Sequence, residues 1–216
     1  MPHPAQPRLA ALGAFYAIEK REGNDWRPIA DLVSGPALGE RVTWTREALS
    51  GRAGVDVEER VAASTASLGF FARLLSPVCG AALLGVEAPQ VDALWWQPAD
   101  GGPLRLAADT WGEPDPAAVL SGVISPLVDR LADEHGVSTQ VLWGNAASAA
   151  HGAVRMAVQA DHSLGRRGLR LVERLFALPE LAGTADLGPP FVRRSCCLYY
   201  RLPGGGYCGD CVLAHP

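Results

Sequence analysis

The segment RRSCCLYYRLPGGGYCGDC, residues 193–211, contains four of the five cysteines in this 216-residue chain. Cys196 and Cys197 are adjacent, ten residues separate Cys197 from Cys208, and Cys211 completes a C-x2-C pair. Thiolates packed so closely repel one another and resist desolvation. The four side chains are therefore expected to be either joined as disulfides or neutralised by metal.

Three chemistries compete for these thiols, and two of them involve metal. C-x2-C is the usual half of a four-cysteine zinc site. The adjacent pair is a poor second half, because neighbouring side chains diverge in an extended backbone. A [2Fe–2S] cluster contains two irons and can accept thiolates that a single ion could not gather. The spacing favours a cluster, and zinc stays open as the alternative.

The third possibility, disulfide bonding, depends on the cellular compartment. Residues 9–18 are apolar, but Pro2, Pro4 and Pro7 precede them and a charged run follows at residues 19–22. This pattern indicates an amphipathic helix and not an export signal. We therefore expect a cytoplasmic protein, and structural disulfides are rare in that reducing compartment.

The residues beside the cysteines suit an anionic cluster. The glycines at 204–206 and Gly209 would let the backbone turn and present amide N–H groups to sulfur, which helps to set a reduction potential. Arg193, Arg194 and Arg201 would offset the negative charge, although a solvated strand edge explains these arginines equally well. Four further side chains would shield the cluster from water: Leu198, Tyr199, Tyr200 and Tyr207.

These residues resemble a known family. The run RSCCLYYR at 194–201, followed by a glycine-rich stretch and CGDC at 208–211, resembles the C-terminal motif of the FhuF-like ferric-siderophore reductases. LWGN at 142–145 and RLLSP at 73–77 also resemble recurring elements of that family. The short tail of residues 212–216 is a departure that places the motif at the edge of the chain.

The resemblance implies a cofactor and an activity. It implies a [2Fe–2S] cluster bound by Cys196, Cys197, Cys208 and Cys211, which through the cluster form the catalytic apparatus. It also implies an oxidoreductase that passes one electron to the Fe(III) of an imported siderophore, expected to be of the hydroxamate type, so that Fe(II) is released in the cytoplasm. Candidate substrate contacts are Arg193, Arg194, Arg201, Trp95 and Trp96.

Other classes of function stay open beside the reductase. The chain could be a non-enzymatic binding module whose four cysteines bind a structural zinc ion. It could also be an iron–sulfur electron-transfer or sensor protein with another target. Neither a dinucleotide fingerprint nor a P-loop occurs, so we expect electrons from a separate protein such as a ferredoxin or a flavin reductase. The net charge of −4 gives no reason to expect nucleic acid, and no apolar run in the sequence suggests a membrane span.

The expected fold class is α+β, helix-dominated. A helix-rich body with a small antiparallel sheet is predicted over residues 1–188, and a compact [2Fe–2S]-binding module over residues 189–216. Two extended runs within residues 91–109 flank a Gly/Pro/Asp turn at 98–103 and predict a β-hairpin. Trp95 and Trp96 would face opposite sides of its first strand.

Helix boundaries are predicted from apolar spacing and capping residues. Helices are expected at residues 8–21 and 57–75, with a new helix opened by Ser76 and Pro77. Residues 23–54 contain several prolines and glycines and are expected to form only short helical turns and loops.

Later in the chain, Asp115 is expected to begin a helix that kinks or restarts at Ser125-Pro126 and ends at Gly136. Ser138 caps the next helix, and a further helix starts near Leu164.

Overall fold

Two long helices form the centre of the fold, α4 (Glu59–Leu84) and α7 (Thr139–Ala160). Near their starts, Asn145 donates a hydrogen bond to Ser64. In the last turn of α4, the carbonyl of Leu83 accepts from Arg167, which follows the end of α7, so the two helices run side by side in the same direction. Many of the buried positions on both helices are alanine, which lets the two backbones pack closely.

The computed structural model describes residues 3–97 and 104–215. The other helices are α1 (Ala5–Ala10), α2 (Ile29–Ser34), α3 (Ala37–Ala53), α5 (Pro116–Val119), α6 (Ser125–His135) and α8 (Gly165–Phe176). The strands are β1 (Arg27–Pro28), β2 (Ala88–Pro89), β3 (Leu94–Gln97), β4 (Arg105–Ala108), β5 (Trp111–Gly112), β6 (Ala185–Asp186) and β7 (Val192–Arg193).

The strands form small antiparallel sheets in the orders β1-β3-β4, β2-β5 and β6-β7. The predicted hairpin is confirmed by the pairing of β3 with β4, while its expected turn at 98–103 lies outside the described residues. Trp96 is 2% exposed, and Trp95 on the opposite face stacks against the guanidinium of Arg21, 4.0 Å from the ring centroid. The helix-dominated α+β class is therefore confirmed.

The first predicted helix is wrong in extent. Helix α1 ends at Ala10, and Gly13 has a φ of +126°, a conformation that favours glycine. The chain then runs beside the hairpin, where the N–H of Glu19 donates to the carbonyl of Leu106 at 2.8 Å. The apolar residues that we expected on one face of a helix lie in a loop and are still buried. Their spacing alone therefore did not show where the helix ends.

The prediction of only short turns over residues 23–54 is also wrong, because helix α3 has 17 residues. Pro36 stands at its N-cap, where a missing N–H leaves no helical hydrogen bond unmade. Gly54, with a φ of 68°, ends the helix in the left-handed conformation.

Proline 77 was expected to follow a helix start, but it lies inside the continuous helix α4. The hydroxyl of Ser76 donates to the carbonyl of Ala72 one turn earlier and does not cap a new helix. Burial of almost the whole second half of α4 stabilises the helix despite the hydrogen bond that Pro77 cannot make.

The capping predictions in the second half of the chain are confirmed. The carboxylate of Asp115 accepts from the N–H of Ala118, and Ser138 accepts from Val141. A π-helical turn, Leu120–Ile124, precedes α6, so the chain restarts at Ser125 as expected. Gly136, with a φ of 63°, ends α6.

Helix α4 bears on the expectation of no membrane span, which stays a prediction. Among the described residues it is the one helix long and apolar enough by length and composition, with a mean hydropathy of 1.6 in its most apolar window. Of that window, 72% is buried inside the protein, so core packing accounts for the sequence. The buried Arg73 in mid-helix donates to the carbonyls of Phe15, Ala17 and Leu104, which anchors the N-terminal loop and the hairpin.

Candidate metal centre

Strand β7 leads the chain into the cysteine segment and holds it against the helical body. The N–H of Arg193 donates to the carbonyl of Asp210 at 2.9 Å, so the entering strand lies beside the loop between Cys208 and Cys211. Further on, Leu202 packs in a small apolar cluster with Val57 and Val61. The segment therefore closes over the start of α4. The predicted boundary at residue 188 stays a prediction.

The four clustered thiols form two pairs. Cys197 Sγ lies 3.3 Å from Cys208 Sγ, and Cys196 Sγ lies 3.6 Å from Cys211 Sγ. Both separations are far longer than the roughly 2.05 Å of a disulfide bond, and the cysteines are free thiols. Each pair combines one member of the vicinal pair with one member of the C-x2-C pair.

The pairing shows which thiols lie closest to one another. In the described part of the chain, no group of three or more Cys, His, Asp or Glu side chains converges on a single possible ion. Cys196 and Cys197 have different sulfur partners, as the divergence of neighbouring side chains predicts. Four thiols are the donor set that either a [2Fe–2S] cluster or a single tetrahedral zinc requires.

The turn after the vicinal cysteines is held in an unusual backbone conformation. Leu198 has a φ of 68°, and it is the one described residue other than glycine with a positive φ. For a leucine this left-handed conformation costs about 1–2 kcal/mol. In that conformation the N–H of Leu198 donates to Cys196 Sγ at 3.4 Å. Backbone strain is therefore found at a position that directs an amide toward a candidate ligand.

Burial favours the protonated form of two of the thiols, Cys196 and Cys208. It raises the pKa of Cys196 to about 11, opposed by the N–H of Leu198 and reinforced by Cys211. Burial likewise raises the pKa of Cys208 to about 12, reinforced by the neighbouring Cys197 and opposed by Arg193. Because a metal binds the thiolate form, loading the centre must displace protons.

Arg193 is a buried cation beside the thiols. It is 1% exposed, and its Nη2 donates to Oδ1 of Asp210 at 3.2 Å. Nε lies 3.0 Å from Oδ2 of the same carboxylate, but its N–H is not aligned with the oxygen, so this second contact is an ion pair only. Burial lowers the pKa of Arg193, but Asp210, Cys197 and Cys208 outweigh it and raise the pKa overall.

Asn145 joins this cation to helix α4. Its Oδ1 accepts from Nη1 of Arg193 at 2.9 Å, and its Nδ2 donates to the hydroxyls of Ser64 and Ser67 at 3.0 and 2.9 Å. Ser64 in turn donates to the carbonyl of Cys197 at 2.7 Å. The side chain of Asn145 is fully hydrogen-bonded, so a buried polar network fixes Cys197 against both central helices.

Gly144, the neighbour of Asn145, makes room for the cysteine segment. A Cβ added at Gly144 would lie 1.9 Å from the hydroxyl of Ser195 and 3.2 Å from its Cβ. Any larger residue at position 144 would therefore force the side chain of Ser195 to shift. The buried Oγ of Ser195 has no hydrogen-bond partner among the described residues. The Trp-Gly-Asn element noticed in the sequence is therefore the place where the segment meets α7.

Sequence reasoning missed several residues of this network. Asp210, inside the C-x2-C pair, accepts from the hydroxyl of Ser148 on α7 at 2.6 Å as well as binding Arg193. Ser64 and Ser67 lie in an alanine- and serine-rich part of α4 that gives no local sign of a polar role.

The three candidate arginines of the cysteine segment differ in their surroundings. Arg193 is buried beside the thiols and presents almost no surface to a ligand. Arg194 is exposed and pairs with Asp186 at 2.6 Å, and Arg201 pairs with Glu58 at 3.2 Å. Both stay predictions as substrate contacts.

The hairpin tryptophans are not brought to the thiols. Trp95 and Trp96 lie on the hairpin that Arg73 anchors, and Arg73 is nine residues beyond Ser64 on α4, about 13 Å along the helix. Trp96 is buried, and Trp95 is covered by Arg21. These contacts account for the tryptophans through packing, and no described contact links them to the cysteine segment.

Two expectations about the neighbours of the cysteines need correction. The N–H of Gly205 donates to the carbonyl of Leu202, not to sulfur, and Gly205 packs so tightly that a Cβ would lie 2.2 Å from the carbonyl oxygen of Tyr199. The three tyrosines of the segment are exposed, so they do not bury the thiols as expected: Tyr199, Tyr200 and Tyr207.

The fold and the site together define a helix-dominated protein with a four-cysteine centre at the starts of its two central helices. Residues 193–213 match the family model described as the FhuF 2Fe-2S C-terminal domain. The resemblance noticed in the sequence is thereby confirmed for the cysteine segment. No curated protein shows significant similarity to the chain.

Proposed function

We propose that this chain is an iron–sulfur ferric-siderophore reductase, with a [2Fe–2S] cluster on Cys196, Cys197, Cys208 and Cys211. The observation that supports it most is the arrangement of the four thiols in two pairs, each taking one cysteine from either end of the motif. The match to the FhuF 2Fe-2S C-terminal domain supports the same cofactor.

The pairs indicate which cysteines share an iron. Cys197 and Cys208 would hold one iron, and Cys196 and Cys211 the other. A bound [2Fe–2S] cluster supplies a one-electron carrier. The chain's own residues position the thiols: Ser64 fixes the carbonyl of Cys197, and the Leu198 amide lies against Cys196.

The buried charge of Arg193 supports an anionic centre at this position. A guanidinium with almost no exposed surface requires compensating negative charge, and Asp210 provides one unit. Cys197 and Cys208 lie close enough to Arg193 to raise its pKa. Thiolates at these positions would be stabilised by the same cation, which would favour the more negative, reduced state of the centre.

The substrate is proposed to be a ferric siderophore of the hydroxamate type. Hard oxygen donors hold Fe(III) tightly and Fe(II) weakly, so transfer of one electron to Fe(III) releases Fe(II) from the chelate. This step requires no general acid or nucleophile from the protein. A separate ferredoxin or flavin reductase would supply the electron, and the reaction would take place in the cytoplasm.

One preparation separates the cluster from zinc. Protein purified without oxygen should be reddish, contain iron and acid-labile sulfide, and bleach with dithionite. Cys208→Ala should lose the colour and the reduction of ferric siderophore. Cys79→Ala is the matched control, because Cys79 is buried in α4 away from the four thiols and should keep the cluster. A colourless protein with one zinc per chain would overturn the cluster and favour the zinc-binding alternative.

A second assay separates a reductase from an electron-transfer or sensor protein. Reduced protein is mixed anaerobically with a ferric trihydroxamate, and a chelator traps the released Fe(II). The expected yield is one Fe(II) per reduced cluster. A loaded protein that becomes oxidised by other acceptors but releases no Fe(II) from any ferric chelate would have another target.

A further inference from the structure

An apolar cavity of about 430 Å³ lies between α4, α7 and the loop after α1. None of the described residues that line it is charged. Its walls are mostly hydrocarbon and include Leu12, Phe15, Leu68, Ala149, Gly152 and Met156. This volume and this composition are typical of a site for an organic ligand.

The polar groups in the walls are already hydrogen-bonded within the protein. The hydroxyl of Tyr16 donates to the carbonyl of Ala153, and that of Ser76 donates to the carbonyl of Ala72. Ser148 donates to Asp210. A charged or strongly polar ligand group would therefore lose its hydration in the cavity without gaining partners. An uncharged apolar group is favoured there.

The cavity adjoins the cysteine segment. Ser148 lines it, and the carboxylate that Ser148 binds belongs to Asp210, between Cys208 and Cys211. Leu68 also lines it and lies one helical turn beyond Ser64, which binds the carbonyl of Cys197. Both walls thus continue directly into the residues that position the thiols.

Two adaptable side chains stand at the surface of this cavity. Phe15 is 39% exposed and Met156 is 48% exposed. The methionine side chain is flexible and polarizable, so it can adjust to apolar groups of different shape. A ligand with one apolar part and one polar part could insert the first and leave the second in water.

We infer that this cavity receives the uncharged apolar arm of the ferric chelate, an acyl chain, while the polar iron-bearing part remains outside it near the cysteine segment. This inference rests on the proposed function and adds a substrate class to it, acylated hydroxamate chelates. We choose this occupant for two reasons: the walls of the cavity disfavour charged groups, and they continue into the residues that position the thiols.

Binding can be measured separately from reduction with gallium, which replaces Fe(III) in hydroxamate chelates and is not reduced. The probes are gallium complexes of one linear trihydroxamate whose terminal amine carries an acetyl, hexanoyl or decanoyl group. Calorimetric titration of the cluster-loaded protein should show affinity rising with chain length, by up to about fourfold for each methylene buried, until the cavity is full.

A cavity-filling variant tests the location. Gly152 lines the cavity, and a Cβ added there meets no described atom within 4 Å, so the side chain of Gly152→Leu should begin in open space and occupy the cavity. It should abolish the dependence on chain length and leave the acetyl complex bound as before. Gly51→Leu on α3 is the matched control, because its Cβ is equally unobstructed and it does not line the cavity.

Each outcome separates the cavity from the reductase proposal. Equal affinity for all three chains, or an equal effect of Gly152→Leu on each, overturns the cavity inference even if the ferric forms are reduced. A chain-length dependence that Gly152→Leu removes supports it, and failure of the ferric forms to be reduced would then overturn only the reductase function. Binding of decanamide that is as tight as that of the decanoyl chelate would identify a general lipid site and overturn the substrate assignment.

Discussion

The side-chain oxygen of Asn145 accepts a hydrogen bond from Nη1 of Arg193 at 2.9 Å, and both residues are buried. This contact connects helix α7 with the strand that enters the cysteine segment. Through Ser64 the same network reaches the carbonyl of Cys197. The positions of the thiols therefore depend on residues far from the cysteines in sequence.

Replacing Asn145 with alanine should destabilise the protein by about 1–3 kcal/mol, because Arg193 and two serine hydroxyls lose a buried partner. Urea unfolding followed by circular dichroism measures the change in the free energy of unfolding. Asn24→Ala is the control, since Asn24 is exposed in a loop. A loss no larger than that of the control would show that the network contributes little.

The part of this site that could be predicted is the part encoded by local chemistry. The cysteine spacing predicted that the four thiols lie close together, and the divergence of Cys196 and Cys197 anticipated their separate partners. The network could not be predicted in the same way, because Ser64, Asn145 and Asp210 meet only after three separate elements have packed. No local pattern distinguishes their polar roles from ordinary surface or capping roles.

The fold shows the same division between local and tertiary causes. Capping at Asp115 and Ser138 was predicted correctly, because a cap depends on residues within one turn. Pro77 was interpreted as a helix start, but burial of α4 on several sides stabilises an unbroken helix. The end of α1 near Gly13 was missed because its apolar residues keep nearly helical spacing while packing from a loop.

Gly144→Ala should destabilise the protein by about 1–3 kcal/mol, because the new methyl group overlaps the side chain of Ser195. Thermal unfolding should show a lower Tm, and adding Ser195→Ala should recover part of the loss by removing the overlapping hydroxyl. Gly152→Ala on the same helix meets no neighbouring atom and should be neutral or stabilising, by up to about 1 kcal/mol. An equal effect of the two glycine substitutions would contradict the close approach of Ser195.

Arg193→Gln should lower the reduction potential of the loaded protein, on the order of tens of millivolts, because it removes a buried positive charge beside Cys197 and Cys208. Arg193→Lys keeps the charge and should keep most of the potential even where stability falls. Spectroscopic redox titration measures both variants.

The neighbouring Arg194 provides the matched control for this comparison. It is exposed and bound to Asp186, so Arg194→Gln should change the potential much less. Equal shifts in Arg193→Gln and Arg194→Gln would mean that net charge, and not the buried position of Arg193, sets the effect.

The last prediction concerns the dependence of stability on pH at His151, whose ring stacks on Phe191 with centroids 4.0 Å apart. Burial lowers the pKa of His151, Arg155 lowers it further, and Asp210 partly opposes them. Because the folded state binds this proton less readily than the unfolded state, the free energy of unfolding should fall as the pH drops below the ordinary histidine pKa of about 6.5.

The variant His151→Phe tests this dependence, because it keeps the stacking and cannot be protonated. Its stability relative to the natural protein should therefore rise between neutral pH and about pH 5, measured by urea unfolding at each pH. His162→Phe, at an exposed position, controls for the loss of a histidine. A gap between His151→Phe and the natural protein that stays constant or narrows on acidification would show that the stacked ring is not held in its neutral form.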